Sequence, residues 1–430
     1  MSKRSRWAAA GIALSGLAAG VVGMLPSAHA TAVVGTVQFA GVNRYDTARL
    51  IGTYRPGSSF AFGTPATGVV ASGDNFPDAL AATYLAGSLG SPIFLTSAGA
   101  LSPEALSGIQ TLGIKSVIIV GGPDAVAASV DASLNADGIT TRRISGPDRD
   151  ATAALIAEAS GTTVGSYNGE GLTALLAADD ASHYVDALSG GPMSWAGHLP
   201  LLLTPGSSLA GSAATALQTL AIKHVIILGG TGAVSATVEQ QVEALGISTE
   251  RLQGSDRQQT AIAIAGAEQV HLGFSNSQFD LARGDSFPDA LAGGPLGGLL
   301  KVPTLLTQDP NDLSLDTQTF LNANNGSITE LFAFGGPAAI SAGVLTQAVS
   351  LTRCTPVGST TTSTTAATTT TSSSTTTTLS ATTTSSTSTS TTSTSLPACN
   401  PVATTSTSTS TSTTTSTSTS TTMATTTTAH

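Results

Sequence analysis

The feature that most restricts the fold of this 430-residue chain is a segment that recurs three times. The copies read SGDNFPDAL, ADDASHYVDAL and RGDSFPDAL, and the second is two residues longer between its outer aspartates. The last aspartates of the three copies, Asp78, Asp186 and Asp289, lie 108 and 103 residues apart. A repeat with so regular a spacing indicates one structural unit in tandem.

A second motif, Gly-x-Asn/Asp-Arg-x-x-Thr-Ala, recurs with nearly the same spacing as the first. Its arginines are Arg44, Arg149 and Arg257, which are separated by 105 and 108 residues. Because two independent motifs repeat in register, the array must contain three copies of the same unit. The predicted repeats span residues 34–140, 141–248 and 249–353.

Each repeat alternates helical segments with short apolar strands, such as Val117–Val120 in the first copy. Continuous apolar strands between helices are typical of βαβ units, whose parallel sheet is covered on both faces. Right-handed crossovers place the carboxyl ends of all such strands at one edge. We therefore predict an α/β chain of three small three-layer modules, Rossmann-like or Toprim-like, each built on a parallel sheet.

The first thirty residues have the organisation of a secretory signal peptide. Lys3, Arg4 and Arg6 precede an apolar run that ends at Met24, and Ala28-His29-Ala30 supplies a small-x-small cleavage site. The run is short for a membrane anchor, which needs about 20 apolar residues. We expect residues 1–30 to be removed, the mature chain to be secreted, and no membrane span to remain.

The charge of the chain argues against nucleic acid as a partner. The sequence has 16 Lys and Arg residues against 26 Asp and Glu. Removing the three basic residues of the signal leaves 13 against 26, a net charge of −13. Nucleic-acid binding requires a basic surface, so an anionic ligand must be met here by local features.

Residues 358–430 form a Thr/Ser-rich tail without Asp, Glu, Lys or Arg. Such a segment has too little apolar surface to offset its conformational entropy, so we expect disorder. The composition fits either an O-glycosylated stalk or an unmodified spacer. The two cysteines, Cys354 and Cys399, follow the last repeat, and whether they form a disulfide is left open.

Candidate ligand-binding residues gather where the predicted strands end, since ligands of open α/β sheets bind outside the carboxyl ends of the strands. Three groups recur there: the aspartate motif, a threonine after an apolar strand, and a pair of glycines. We expect the glycine pair to open a helix whose free N–H groups receive an anion. The candidates are Asp74, Asp78, Thr96, Gly121, Gly122, Asp186, Thr204, Gly229, Gly230, Asp285, Asp289, Thr307, Gly335 and Gly336.

A purely structural interpretation stands beside this one. A carboxylate in the first turn of a helix is favoured by the helix dipole whatever the function, which covers Asp78, Asp186 and Asp289. The motif arginines could form one ion pair with these aspartates in each unit, because a guanidinium fork suits a fixed carboxylate.

An enzyme is the second alternative. A Gly-Asp-x-x-x-Asp edge could hold a divalent cation for hydrolysis or phosphoryl transfer. The longer second copy disturbs this spacing, and His183, His198, His224 and His271 are not repeated from copy to copy. Because no shared acid or base is present, we predict no catalytic residue, no metal and no cofactor.

Four ordered motifs in triplicate resemble the cell-wall-binding repeat 2 modules of Gram-positive bacteria. They are the arginine motif, the Gly-Asp-x-Phe-Pro-Asp-Ala-Leu loop, the Pro-x-Leu-Leu-Thr strand and the Val-Ile-Ile-Val-Gly-Gly strand. The resemblance implies a non-catalytic anchor whose three modules pack around a pseudo-three-fold axis within one monomer. The implied ligand is an anionic wall polymer, teichoic-acid-like or a secondary wall polysaccharide. The positions it implies as ligand-binding are Arg44, Arg149, Arg257, Ile93, Phe94, Leu95, Leu201, Leu202, Leu203, Leu305 and Leu306, together with Thr304.

Three hypotheses follow. The first is a secreted protein at the cell surface that binds an anionic wall polymer non-covalently, where three linked weak sites raise avidity. The second is a divalent-metal hydrolase or phosphotransferase that acts on wall material. The third is a structural or adhesive surface protein whose repeats only pack on one another.

Overall fold

The computed structural model describes residues 34–161 and 163–353. The predicted signal peptide, the Thr/Ser-rich tail, Cys354 and Cys399 lie outside these residues. Across the described residues the chain forms twelve strands and thirteen α-helices. The strands build three sheets of four parallel strands each, which confirms the predicted three-module α/β fold. None of these helices is both long and apolar enough to cross a bilayer.

The first module has the strand order β3-β2-β4-β5. Its helix α1 begins at a motif residue, because the Asn43 side chain accepts a hydrogen bond from the backbone N–H of Asp46 and caps the helix. The elements are α1 (Arg44–Gly52), β2 (Thr67–Ser72), α2 (Pro77–Leu89), β3 (Ile93–Thr96), α3 (Pro103–Thr111), β4 (Ser116–Val120), α4 (Ala128–Ala136) and β5 (Thr140–Ile144).

The second module repeats this plan with the order β7-β6-β8-β9. Its first helix is capped by Asp148, which replaces Asn43 in the motif. The elements are α5 (Arg149–Ala159), β6 (Thr173–Ala178), α6 (Tyr184–Ser189), α7 (Gly191–Gly197), β7 (Leu201–Thr204), α8 (Gly211–Thr219), β8 (His224–Leu228), α9 (Ala236–Glu243) and β9 (Ser248–Leu252).

The third module takes its fourth strand from the other end of the chain. Strand β1 (Gly35–Phe39) pairs with β12, from Gly35 beside Glu330 to Phe39 beside Phe334, and gives the order β1-β12-β10-β11. The remaining elements are α10 (Arg257–His271), β10 (Gln278–Arg283), α11 (Gly293–Leu300), β11 (Thr304–Thr307), α12 (Leu315–Ala323), β12 (Glu330–Phe334) and α13 (Ala342–Thr352).

The strand that opens each sequence repeat therefore lies in a neighbouring sheet. Strand β5 completes the first sheet and β9 the second, although the helices that follow them belong to the next module. By the same pattern β1 completes the third sheet, while α1 packs on β3 and α3 of the first. Every junction between modules is thus a strand-to-helix crossover, and the three modules form a closed ring.

Helices α2, α7 and α11 pack together at the centre of the ring. The contact is close because glycines face each other: a Cβ on Gly191 would lie 3.2 Å from the Cα of Gly294. One cluster of buried apolar residues runs through all three modules, and each sheet has a separate outer core on its other face. Burial of this shared core holds the modules together.

Three aromatic rings, one from each module, mark the pseudo-three-fold axis. Phe76, Tyr184 and Phe287 occupy equivalent positions before the repeated aspartates, and their ring centroids are 4.9 to 5.7 Å apart. These distances are those of edge-to-face and tilted aromatic pairs. The aromatic cluster confirms the pseudo-three-fold arrangement.

Candidate functional site

The carboxyl edge of each sheet faces the first helix of the next module. At the junction of the second and third modules this arrangement leaves a groove of about 560 Å³. The second module contributes Ser182, His183 and Asp186 to its lining, and the third contributes Arg257. The loop after β8 also lines the groove. We call this cavity the 2–3 groove.

The motif arginines do not form the ion pairs with Asp78, Asp186 and Asp289 that the structural interpretation expected. Each arginine donates from Nη1 to the carbonyl oxygen of the residue just after a strand in its own module. These acceptors are Gly73 at 2.7 Å from Arg44, Asp179 at 2.6 Å from Arg149, and Gly284 for Arg257. Among the described residues, none of the three guanidinium groups is within 4 Å of a carboxylate.

The repeated aspartates instead face the neighbouring module. Burial raises the pKa of Asp78 to about 6, although the positive charge of Arg149 from the second module opposes the shift. Burial likewise raises the pKa of Asp186 to about 6, opposed by His183 and by Arg257 of the third module. Each of these carboxyls therefore titrates close to neutral pH at a junction.

At the remaining junction the contact is a hydrogen bond. The hydroxyl of Thr47, in the first module, donates to Asp289 of the third at 2.7 Å. Thr47 is the threonine of the first arginine motif, whose equivalents Thr152 and Thr260 accept from backbone N–H groups within their own modules. This bond ties the two ends of the repeat array together.

The glycine pairs form tight turns at the carboxyl edge. Gly121, Gly229 and Gly335 have φ of +101°, +101° and +105°, a region that only glycine adopts without strain. The aspartate fills the space where a side chain would be, because a Cβ on Gly121 would lie 2.4 Å from Oδ2 of Asp78. The N–H groups of these first glycines are already used, since each donates to the adjacent edge strand.

The second glycines, Gly122, Gly230 and Gly336, do not open helices, which corrects our expectation. A short turn follows each pair, in which the carbonyl of the second glycine accepts from residues three and four positions ahead. Helices α4, α9 and α13 begin only after this turn. In the second module the turn leaves the N–H groups of Gly230, Thr231 and Gly232 without partners among the described residues, and these three residues line the 2–3 groove.

The strand positions and their threonines lie inside the protein. Thr96 donates to the carbonyl of Ala100 and accepts from the N–H of Ser102, both at 2.8 Å, and Thr204 makes the equivalent pair of bonds. In this structure these residues hold the loops and the core and do not reach the grooves. The residues with at most 1% of their surface exposed are Ile93, Phe94, Leu95, Thr96, Leu201, Leu202, Leu203, Thr204, Leu305, Leu306 and Thr307.

The first aspartates of the motif, Asp74 and Asp285, are exposed but hydrogen-bonded to neighbouring groups. Asp74 accepts from the Tyr45 hydroxyl at 2.6 Å and from the backbone N–H of Ala98 at 2.8 Å. Asp285 forms a bidentate pair with Arg283, at 2.8 Å for both bonds, which lowers the pKa of Asp285. Both carboxylates therefore fix loops at the rim of the carboxyl edge.

The longer loop of the second copy contributes residues that the sequence reasoning missed. The two additional residues are Ala181 and Ser182, and His183 contacts the Asp180 carboxylate through Nδ1 at 2.9 Å. Ser182 and His183 line the 2–3 groove. The insertion itself was the available signal, since an extra pair of residues in one copy of a repeat changes the surface only there.

The described residues contain no group of three or more His, Cys, Asp or Glu side chains placed to hold a metal ion. His183 lies in the 2–3 groove, away from His224 and His271, which both pack on the ring of Tyr167. The carboxyl edge thus brings together arginine side chains, free backbone N–H groups and two carboxyls whose pKa burial raises.

Two solved structures from Clostridium difficile have the same fold. Cwp6 from Clostridium difficile superposes with a TM-score of 0.64 at 22% sequence identity, over 74% of this chain and 48% of that protein. Cwp8 from the same organism gives a TM-score of 0.62 at 22% identity, over 74% and 52%. At these identities the likeness concerns the fold.

Two curated Bacillus subtilis (strain 168) proteins are similar in sequence. N-acetylmuramoyl-L-alanine amidase LytC is 29% identical over 328 residues, which are 76% of this chain and 60% of LytC. The amidase enhancer is 28% identical over 261 residues, which are 61% of this chain and 33% of that protein. The chain thus spans less than two thirds of the length of each.

The family model described as cell wall binding domain 2 matches three consecutive stretches of the chain. They are residues 38–131, 143–239 and 251–345, which coincide with the three modules and cover more than half of the sequence. The matched stretches include the arginine motifs, the repeated aspartates and the glycine pairs. The chain therefore belongs to the cell wall binding domain 2 (CWB2) family.

Proposed function

We propose that this protein is secreted and attaches non-covalently to the bacterial cell wall by binding an anionic wall polymer in the grooves between its modules. The observation that carries the proposal is the 2–3 groove. There Arg257, whose guanidinium has no ion-pair partner among the described residues, lines the same cavity as Gly230, Thr231 and Gly232, whose backbone N–H groups are free. An arginine fork that shares a groove with several free backbone donors is suited to phosphate or carboxylate.

Local features of this kind matter because the chain as a whole is acidic. A net negative protein does not attract a polyanion over long distances, so the contact energy has to come from short-range hydrogen bonds. The raised pKa values of Asp78 and Asp186 help, since a protonated carboxyl removes a repulsive charge from its junction.

The triplication supports binding. Arg44 and Arg149 lie at the other two junctions in the same hydrogen-bonded arrangement as Arg257. A polymer with repeating charges can engage several junctions at once, and each added contact raises avidity without requiring a strong single site. We infer a role without catalysis, because such a gain favours a binder and no histidine recurs among the three copies.

The test uses the chain without its signal, residues 31–430, and isolated Gram-positive walls before and after removal of the secondary polymers. We expect co-sedimentation with intact walls that weakens with salt, and loss of binding to stripped walls. Equal binding to both preparations would refute the polymer as ligand. Release of soluble wall fragments by the protein would favour the hydrolase hypothesis instead.

Matched variants locate the contact. Arg257→Gln should weaken binding about 10- to 100-fold, as expected for a lost charged hydrogen bond. Arg257→Lys keeps the charge but loses the fork, so it should fall in between. Arg142→Gln removes the same charge from an exposed position outside the 2–3 groove and should bind normally. Melting temperatures show whether each variant remains folded.

A further inference from the structure

A second cavity, of about 450 Å³, lies on the pseudo-three-fold axis next to the aromatic cluster. We call it the axial cavity. Phe76, Tyr184 and Phe287 line it together with polar groups from the loops of the second and third modules. It therefore combines aromatic surface with a few convergent polar groups, the combination found in small-molecule binding sites.

The hydroxyl of Tyr184 breaks the symmetry of the aromatic cluster. The first and third modules have phenylalanine at this position, so only the second contributes a hydroxyl to the axis. The Tyr184 hydroxyl makes no hydrogen bond to any described residue, and the residue as a whole is 7% exposed. Burial raises the pKa of Tyr184, so the hydroxyl is a neutral donor and acceptor at physiological pH.

The axial cavity and the 2–3 groove meet at Arg257 and Ser182, which line both. The guanidinium of Arg257 uses one nitrogen to hold the carbonyl of Gly284, and its other N–H groups have no hydrogen-bond partner among the described residues. At the rim of the axial cavity the charge of Asp285 is matched by Arg283. Arg257 is thus a cation placed at the boundary between two adjoining cavities.

The two-residue insertion of the second copy builds this boundary. Ala181 and Ser182 both line the axial cavity, and Ser182 also lines the groove. The first and third copies lack these residues. The junction of the second and third modules is therefore chemically distinct from the other two, and it is the longer loop that makes it so.

We propose that the axial cavity is a subsite for one neutral sugar unit of the bound polymer, adjacent to an anionic group held by Arg257. The next unit along the polymer lies in the 2–3 groove. This inference rests on the proposed function and adds to it the chemistry of one site. The ligand segment is a sugar joined to a phosphate or a carboxylate, and the segment is long enough to extend from the axial cavity past Arg257 into the 2–3 groove.

The chemistry of the cavity fits a sugar ring. The C–H face of a pyranose packs on aromatic carbon, while its hydroxyls need donors and acceptors that are fixed in place. Tyr184, Ser182 and Ser286 offer hydroxyls that can both donate and accept. A site built to bond a hydroxyl discriminates against ligands that lack it, which would give this junction selectivity among wall polymers.

The decisive variant is Tyr184→Phe, which installs the residue already present at the equivalent positions of the other modules. Affinity for isolated walls should fall about 2- to 10-fold, the effect of one neutral hydrogen bond. The melting temperature should not change, because the hydroxyl bonds nothing in the protein. Tyr54→Phe, outside both cavities, is the control that should bind as the wild type.

A competition experiment tests the ligand class directly. A hexose 1-phosphate should displace the protein from walls at lower concentration than either inorganic phosphate or the free hexose, because it fills both the cavity and the arginine position. In Tyr184→Phe, and in a variant lacking Ala181 and Ser182, the advantage of the hexose phosphate over phosphate should shrink. An equal advantage in all three proteins would overturn the subsite.

The outcomes separate the two proposals. If Tyr184→Phe binds walls like the wild type while Arg257→Gln binds weakly, the axial subsite is wrong and polymer binding in the groove stands. If the wild-type protein binds stripped and intact walls equally, both proposals are wrong.

Discussion

Two carboxyl groups buried in the third module should make the protein less stable as the pH rises. Glu268 on α10 and Asp280 on β10 are 0% and 1% exposed. Both oxygens of Glu268 and Oδ2 of Asp280 have no side-chain hydrogen-bond partner among the described residues. Burial raises the pKa of each carboxyl well above its ordinary value, and the charge of Asp280 raises that of Glu268 further.

The sign and size of the effect follow from linkage. Below the ordinary pKa of about 4 these two carboxyls are protonated in both the folded and the unfolded chain, so they do not lower the free energy of unfolding there. Above that pH the unfolded chain releases protons that the folded chain retains. Each such group then lowers the free energy of unfolding by about 1.4 kcal/mol per pH unit, until the pH reaches its folded pKa.

Glu268→Gln removes one of these groups and keeps its size. We expect the urea midpoint of the variant to fall less steeply than that of the wild type between pH 5 and pH 8.5, so that the variant gains relative stability in alkali. Glu158→Gln makes the same change on the exposed face of α5 and should follow the wild-type profile. Parallel profiles for Glu268→Gln and the wild type would refute the reasoning.

Three further predictions concern the turn, the ring and the groove. Gly121→Ala should destabilise the protein by about 1–3 kcal/mol, because alanine is strained at φ +101° and its Cβ would clash with Asp78. Gly266→Ala should stabilise it by about 0.4–1 kcal/mol, because the space beside this position of α10 is open. Thermal unfolding measures the sign of both changes. Phe39→Ala should cost about 3–5 kcal/mol in urea unfolding, since this buried ring of β1 packs on two aromatic residues of β12. Binding to walls should strengthen as the pH falls from 7.5 to 5.5, because carboxyls with a pKa of about 6 lose their charge. Asp186→Asn should make binding at the 2–3 groove less dependent on pH. An Asp186→Asn variant that keeps the full pH response would contradict the role of that carboxyl.

The order of elements could be predicted from sequence because it rests on local patterns. A few residues are enough to recognise an apolar strand such as Val117–Val120, a glycine turn or a helix cap. The triplicate motifs added the module count and the family, and both were confirmed. The gathering of candidate residues at one edge of each sheet followed from the general rule that ligands bind outside the carboxyl ends of the strands.

What could not be predicted depends on contacts between distant segments. We expected the motif arginines to pair with the aspartates of their own unit, but Arg149 and Arg257 face the aspartates of the preceding module instead. The strand positions that the resemblance implied as ligand-binding are core residues in this structure, and their binding role stays a prediction. Asp280 inside an apolar strand was a visible signal of an unusual buried carboxyl, but nothing in the sequence indicated that Glu268 would be buried near it.

The pairing of β1 with β12 has a consequence for how the chain matures. Gly35 and Glu330 are neighbours in space but 295 positions apart along the chain, so loop-closure entropy opposes their contact strongly. Because the chain is synthesised from its amino terminus, β1 is present long before β12. Until then Phe39 and an unsatisfied strand edge stay open to unrelated partners, and the ring cannot close until nearly all of the modular region has emerged.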